Sequence, residues 1–302
     1  MRTTVSIPLH ASARWVDQVV ANLRALAPVA RLVVSDATVV DGALDEIRRA
    51  VGDIGPEVTW LGPRDLDAGW VAHGNDLLAR VATPYAMWLP HDDEVGPDWV
   101  QAAEAALDAE PAAALACGTV VSVDDEPDIE SPGYVLVPAA DLGERDVTGR
   151  LVAAMRHVMH PSPELLGMLY RSVVRRDAVP PLPATGPDGR WADVLWALSV
   201  LASGHLAPIA ATYRKRWHAG SAHRSWPDLY DDPRFRTELL PAALTGAPPE
   251  AQVTAMAHGW EEDRRRIHDQ QVDLAVSRSR AASAREAALA AEVERLRAGP
   301  DL

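Results

Sequence analysis

Two adjacent carboxylates, Asp92 and Asp93, follow a run of apolar residues, 85–89, in the segment WLPHDDEVGPDW (88–99). The apolar run is typical of a buried strand, which places the pair at a strand end. Like charges side by side repel each other, and a cation bound beside them removes that cost. Mg²⁺ and Mn²⁺ prefer carboxylate oxygens and the phosphates of a substrate. The pair therefore indicates a site for Mg²⁺ or Mn²⁺, with a solvated turn or a helix cap as the alternative.

The elements that position this pair alternate along the first 120 residues. Short β-branched runs predict strands at 3–9, 31–36, 57–62, 85–89 and 112–123, and helical periodicity predicts helices at 14–26, 42–52, 68–82 and 98–111. This alternation is typical of βαβ units and a largely parallel sheet. Active sites in such sheets lie at the carboxyl ends of the strands. Asp36, Asp92 and Asp93 all fall at such ends.

Further along the chain, the segment AVPPLPATGPDGR (178–190) contains so many Pro and Gly residues that it must be a loop. A loop of this length in a compact domain is usually functional or mobile. It precedes a predicted helix at 191–204 and a predicted strand at 205–217.

The C-terminal part has a different composition. Residues 260–297 contain no Pro or Gly and are rich in Ala, Glu and Arg, which predicts a long helix. Leu289, Val293 and Leu296 have the spacing of a short coiled coil, so a homodimer through this helix is one interpretation. A helix docked on its own domain or fraying at the end is the other. We expect a domain over residues 1–225 and a helical extension over 226–302.

Composition excludes several classes of function. The chain of 302 residues has 29 basic and 43 acidic residues, a net charge of -14, so nucleic acid is not an expected partner. The single cysteine, Cys117, rules out an internal disulfide and a cysteine-based zinc site. We expect a cytoplasmic protein, because no window reaches the roughly 18 apolar residues of a transmembrane segment and the N-terminus does not resemble a signal peptide.

Four blocks in order over residues 3–225 resemble family 2 glycosyltransferases, inverting enzymes of the GT-A fold that use nucleotide sugars. They are VSIPLHASARWVDQVVANLRAL, RLVVSDATVVDG, DAGWVAHGNDLLARVATPYAMWLPHDDEVGPDWV and RWADVLWALSVLASGHLAPIAATYRKRWHAGS. The resemblance implies an α/β fold, Rossmann-like, with a mostly parallel mixed sheet and flanking helices. It also implies transfer of a sugar, with a UDP-sugar as the expected donor and a glycan or small molecule as the acceptor.

The resemblance also implies roles for particular residues. Asp193 matches the catalytic base, and metal binding would involve Asp92, Asp93 and His218. The loop at 178–190 would be an acceptor gate ordered by donor binding, and Trp191, Trp217 and Trp226 would stack on sugar rings. The positions expected to bind the donor are Pro8, Asp36, Gly69, Asn75 and Arg214, with Asp41 at a second acidic position.

The chain departs from the family pattern at the acidic motif. The first Asp of the family's Asp-x-Asp falls on Pro90, and the acidic residue that often precedes the base is Ala192. We therefore expect weak metal binding without the donor. Two alternatives stay open: a nucleotide-sugar-binding protein that has lost catalysis, and a zinc-dependent amino-sugar deacetylase, suggested by PHDDE.

Overall fold

A computed structural model describes residues 1–37, 42–55, 57–62, 69–124, 135–137, 140–158, 164–186, 189–218, 232 and 234–298. The strands are β1 (Thr3–Leu9), β2 (Arg31–Asp36), β3 (Val58–Leu61), β4 (Tyr85–Trp88), β5 (Glu94–Val95), β6 (Ala113–Asp124), β7 (Val135–Leu136), β8 (Val173–Arg175) and β9 (His205–Trp217). The helices are α1 (Val16–Leu26), α2 (Ala43–Val51), α3 (Gly69–Ala79), α4 (Pro97–Ala109), α5 (Val147–Val158), α6 (Glu164–Gly167), α7 (Ala192–Ser203), α8 (Leu240–Ala243) and α9 (Pro249–Ala298).

The described strands form one mixed sheet in the order β3-β2-β1-β4-β8-β6-β9-β5, with β7 paired to β6. Strands β1 to β4 are parallel to one another, and β6 is parallel to β9. The short strands β5 and β8 are antiparallel to their neighbours. The predicted α/β fold, with a mostly parallel sheet, flanking helices and a C-terminal helical extension, is confirmed.

The sequences of the parallel strands are nearly continuous apolar runs, and burial of the sheet on both faces explains this pattern. Helices cover both faces of such a sheet, so both faces of each central strand are buried. In β1 six of seven residues are buried, and all four residues of β4 are buried. Helix α7 is buried over nearly its whole surface, which fits its lack of a polar face.

The C-terminal extension begins inside this core. Phe235, Leu240, Leu244, Ala251 and Ala255 are buried in the same apolar cluster as the sheet. Residues 267–291 of α9 are all exposed. The division at residue 225 stays a prediction, and the packing shows that residues beyond it complete the core. Among the helices of the described ranges, none has the length and apolarity needed to cross a membrane.

Candidate active site

The acid pair lies in the turn between β4 and β5, at the carboxyl edge of the sheet. Strand β5 pairs with the end of β9 through Glu94 and Arg214, so the last residues of β9 come beside the pair. From α1, the Asn22 side chain donates a 2.8 Å hydrogen bond to the backbone carbonyl of Asp93. The turn is therefore held from two sides, by a strand and by a helix.

Asp92 faces His218, the residue that follows β9. The distance from His218 Nε2 to Asp92 Oδ2 is 3.1 Å, and both side chains are partly exposed. Burial raises the pKa of Asp92, but the hydrogen bond from His218 and the nearby charges of His91 and Arg171 outweigh it, so the pKa lies below its ordinary value. Asp92 is therefore a carboxylate at neutral pH, with a ring nitrogen beside it.

Trp15 supports the two histidines that flank this carboxylate. Its ring centroid lies 5.0 Å from that of His218 and 6.4 Å from that of His91. His91 Nδ1 lies 2.7 Å from the Ser12 hydroxyl, and that hydroxyl accepts a hydrogen bond from the backbone N–H of His10. The loop after β1 thereby orients His91 against Asp92.

Asp93 has a different environment from its neighbour. Its carboxylate is buried and accepts hydrogen bonds from Arg171 Nε at 2.8 Å, the Tyr213 hydroxyl at 2.9 Å and the Arg216 backbone N–H at 3.0 Å. Burial raises the pKa of Asp93, while the positive charge of Arg171 opposes that rise. Since both oxygens are engaged, Asp93 connects β9 and Arg171 to the turn, and its place among the metal ligands stays a prediction.

Asp193, the predicted base, is buried in the first turn of α7. Its Oδ1 accepts a hydrogen bond from the Val194 backbone N–H at 3.0 Å. The residue two positions earlier, Trp191, has φ of 56°, a conformation that costs energy for a bulky residue and is common near functional sites. A Cβ added to Gly167 would lie 3.1 Å from Asp193 Oδ2, so the glycine leaves room beside that oxygen.

A short 3₁₀ turn, Met168–Arg171, connects the base to the acid pair. Tyr170 lies near Asp193, and burial together with the Asp193 charge raises the pKa of the tyrosine well above its ordinary value. The next residue, Arg171, holds Asp93. Tyr170 stacks on Trp88 with ring centroids 5.1 Å apart. Tyr170 therefore interacts electrostatically with Asp193, and the next residue of the same turn binds Asp93.

The predicted donor-binding residues lie on several elements of the fold. Asp36 is buried at the end of β2, and Pro8 pairs in register with Ser35 on that strand. Nearby, His73 Nε2 lies 2.9 Å from the Ser35 hydroxyl. Gly69 opens α3 with φ of 73°, in the left-handed region that glycine adopts easily.

Asn75 and Arg214 have protein partners in the structure. The Asn75 amide donates to the Leu182 carbonyl at 3.0 Å and accepts from the Leu182 N–H at 2.6 Å. The Arg214 guanidinium forms an exposed ion pair with Glu94 at 3.3 Å. Their donor-binding roles stay predictions. The donor-binding role of Asp41 and the sugar-stacking role of Trp226 also stay predictions, since both residues lie outside the described ranges.

Several neighbours of the acid pair were not expected from sequence, among them Trp15, Asn22, Arg171 and Tyr213. Arg171 is a single basic residue within the apolar segment LLGMLYRSVV. A cation in such a run is rarely buried without a partner, and this signal predicts a buried ion pair without saying which acid completes it.

The residues present fit a divalent ion only together with a substrate. Within the described ranges, no group of three or more His, Cys, Asp or Glu side chains is arranged to hold a metal. Asp92 offers one carboxylate and His218 one imidazole nitrogen. Magnesium sites commonly use one or two carboxylates and take their other ligands from water and phosphate, so the phosphate oxygens of a bound ligand would complete the coordination.

Comparison with known proteins rests on structure alone, since no protein-family model and no curated protein matches the chain. S. aureus TarS 1–349 in complex with UDP-GlcNAc superposes with a TM-score of 0.59 at 14% identity, covering 87% of this chain and 72% of that one. The same fragment in complex with UDP superposes with a TM-score of 0.56 at 13% identity, covering 86% and 71%. Identity this low shows a common fold and no more. The chain therefore shares the α/β fold of TarS 1–349.

Proposed function

We propose that the protein is an inverting glycosyltransferase that moves a sugar from a nucleoside-diphosphate sugar to an acceptor hydroxyl. The observation that carries the proposal is that two carboxylates lie within electrostatic range of one 3₁₀ turn: Asp92, which faces His218, acts on Arg171, and Asp193 acts on Tyr170. The Asp92 carboxylate can hold a cation that binds a diphosphate, and the Asp193 carboxylate can accept a proton. The fold shared with TarS, which was crystallised with UDP-GlcNAc and with UDP, supports a UDP-sugar as donor.

In this mechanism Asp193 acts as the general base. An acceptor hydroxyl is a weak nucleophile at neutral pH, so a carboxylate within hydrogen-bond reach takes its proton as the new bond forms. The acceptor oxygen bonds to the anomeric carbon while the bond from that carbon to the diphosphate oxygen breaks, and the nucleoside diphosphate leaves with the bonding pair. Attack from the face opposite the leaving group inverts the anomeric configuration.

Asp92 and His218 would hold Mg²⁺ or Mn²⁺ in this site, and the ion when bound would offset the charge of the departing diphosphate. Asp93 would position the site through its hydrogen bonds with Arg171 and with the Arg216 backbone. These bonds connect the turn between β4 and β5 to the 3₁₀ turn near Asp193 and to the end of β9. Trp15 would keep His218 and His91 in place around Asp92.

The test combines nucleotide release with thermal shift across UDP-, GDP- and dTDP-sugars, each with Mn²⁺, Mg²⁺ or EDTA. We expect one nucleotide plus metal to raise the melting temperature, and Asp92→Ala to abolish that rise. Asp193→Asn should keep the thermal shift and lose transfer by about 100-fold or more, the usual contribution of a general base.

Asp76, which forms an ion pair with Arg80 on α3, provides the matched control. Asp76→Asn should keep both binding and transfer. An unimpaired Asp193→Asn variant would contradict the assigned base. Stabilisation by zinc alone, with no response to any nucleotide, would favour the deacetylase instead.

A further inference from the structure

Helix α9 carries an exposed row of large apolar side chains at heptad spacing. Val253, Trp260, Ile267 and Leu274 recur every seventh residue and are between 40% and 70% exposed. The helix packs on the domain through a different row, in which Ala251, Ala255, Gly259 and Asp263 are buried. The heptad row therefore lies on a face of α9 that the domain leaves open.

This row has the geometry of a seam between two helices. Ala281 and Ala288 continue the seven-residue repeat, and Arg264, Gln271, Arg278 and Arg285 lie between its members, so the spacing alternates between four and three. That alternation keeps one narrow stripe facing a partner helix. A helix that lies on a membrane presents a broad apolar face instead, and this stripe is one large side chain wide.

We propose that two copies of the chain associate through this seam with their α9 helices antiparallel. Pairing centred between Gln270 and Gln271 sets Ile267 against Leu274 of the second copy. It sets Trp260 against Ala281 and Val253 against Ala288. Trp260 and Val253 then each face an alanine, and Ile267 and Leu274 face each other at the centre, so the two largest rings do not compete for the same space between the helices.

A parallel pair would bring like charges together and would match the side-chain sizes less well. It would place each of Arg264, Arg278 and Arg285 in the same layer as its own copy, so that like charges meet along the seam. It would also crowd Trp260 against Trp260 and leave Ala281 opposite Ala281. The antiparallel pair reduces the number of Arg–Arg layers from three to two, because Arg264 comes opposite Arg278 of the second copy whereas Arg285 comes opposite Ala257. The long aliphatic stems can cover the seam while the guanidinium groups stay in water.

The area available fits a dimer that dissociates on dilution. The seam from Val253 to Ala288 spans about 54 Å of helix at 1.5 Å per residue. A contact strip about 10 Å wide on each helix would bury about 1,000 Å² in total, at the lower limit for a specific interface. We therefore expect dimerisation in the micromolar range rather than an obligate dimer. The inference does not depend on sugar transfer.

The first test measures the mass of the full chain by analytical ultracentrifugation across a concentration series from about 1 to 100 µM. We expect the native chain to shift from monomer to dimer and the double variant Ile267→Asp/Leu274→Asp to stay monomeric. The matched control is Val272→Asp/Val276→Asp, which places the same charges at two exposed positions of the same helix outside the seam. The control should dimerise like the native chain.

Three results of this test would overturn the proposal. They are a native chain that is monomeric at the highest concentration, a seam variant that still dimerises, and a control that dissociates as readily as the seam variant. Binding of the monomeric native chain to lipid vesicles, lost in the seam variant, would assign the row to a membrane surface and would also overturn it.

The second test determines the direction of pairing through cysteine cross-linking. The native Cys117 is fully buried and does not compete. The double variant Trp260→Cys/Ala281→Cys should form a disulfide-linked dimer under mild oxidation, and each single variant should not. Cross-linking of the single variants would show parallel pairing, and no cross-linking of the double variant would reject the register proposed here.

Discussion

At the scale of single residues, Asp92 and Asp93 have separate tasks although they are adjacent and identical. The Asp92 side chain is 19% exposed and faces a histidine, whereas that of Asp93 is 1% exposed and holds an arginine, a tyrosine and a backbone amide. A carboxylate that accepts three hydrogen bonds has little capacity left for a cation. The two side chains point in different directions from the turn, and this gives them different exposure and different partners.

The first prediction concerns the buried pair of Asp93 and Arg171. Asp93→Ala should lower the free energy of unfolding by about 3 to 5 kcal/mol, because it removes the carboxylate that compensates the buried charge of Arg171. Urea denaturation measures the loss. As a comparison, Asp76→Ala removes the exposed pair with Arg80 and should cost well under about 1 kcal/mol. Equal losses in the two variants would mean that the Asp93 pair contributes no more than a surface pair.

The second prediction concerns the space beside the base. Gly167→Ala would put a Cβ 3.1 Å from Asp193 Oδ2, so the carboxylate would have to shift by a few tenths of an ångström. We expect kcat to fall by about 10- to 100-fold, with little change in nucleotide binding. Gly246→Ala is the control, since its added Cβ would meet nothing closer than 3.9 Å. A normal kcat in Gly167→Ala would show that this space is not needed.

At the scale of elements, the breaker-rich loop at 178–190 is attached to its surroundings at several points. Asn75 of α3 binds the Leu182 backbone in both directions, Trp196 of α7 donates to the Pro180 carbonyl at 3.1 Å, and Arg234 donates to the Thr185 carbonyl at 2.9 Å. Asn75 thereby connects the helix before the acid pair to the loop before the base. A gate at this loop would have to release these contacts when it opens.

The third prediction tests that attachment. Asn75→Ala leaves the Leu182 backbone N–H and C=O without their partners, at a cost of about 1 to 3 kcal/mol. We expect the loop to open more often and trypsin to cleave after Arg190, which is exposed within it, several-fold faster than in the native protein. Asp45→Ala, an exposed change on α2, should leave the cleavage rate unchanged. No acceleration in Asn75→Ala would show that the other contacts hold the loop by themselves.

Element boundaries follow the local pattern closely where the signal is strong. The predicted strands at 3–9, 31–36 and 205–217 coincide with β1, β2 and β9. The short antiparallel strands β5 and β8 were not predicted, because two or three residues carry no periodicity and their pairing depends on distant strands. Helix α5 was also not predicted, although its buried face at Leu151, Ala154, Met155 and Val158 has helical spacing.

At the scale of the whole molecule, the sheet buries its single thiol completely. Burial raises the pKa of Cys117 to about 12, against an ordinary value of about 8.5. Between these pH values the unfolded chain releases the thiol proton while the folded chain retains it. The stabilising contribution is therefore complete below the ordinary value and is lost as the pH rises through the folded value.

The fourth prediction follows from this loss of stability at high pH. Between pH 7 and pH 10 the native protein should lose about 1 to 2 kcal/mol more free energy of unfolding than Cys117→Ala, which has no thiol to titrate. Urea denaturation of both proteins at the two pH values gives the difference. Iodoacetamide should modify Cys117 only after unfolding. Parallel pH dependence in the two proteins would show that the thiol makes no such contribution.

The sequence by itself determined the α/β class, the order of the main strands and helices, and the position of Asp36, Asp92 and Asp93 at strand ends. These features depend on local periodicity, which a single chain displays. The tertiary structure alone decided that Asp93 is bound by Arg171, Tyr213 and the Arg216 backbone, and that Asn75 holds a loop more than 100 residues away. These partners are decided by packing between segments that are distant in sequence. The spacing of residues along the chain therefore does not reveal them.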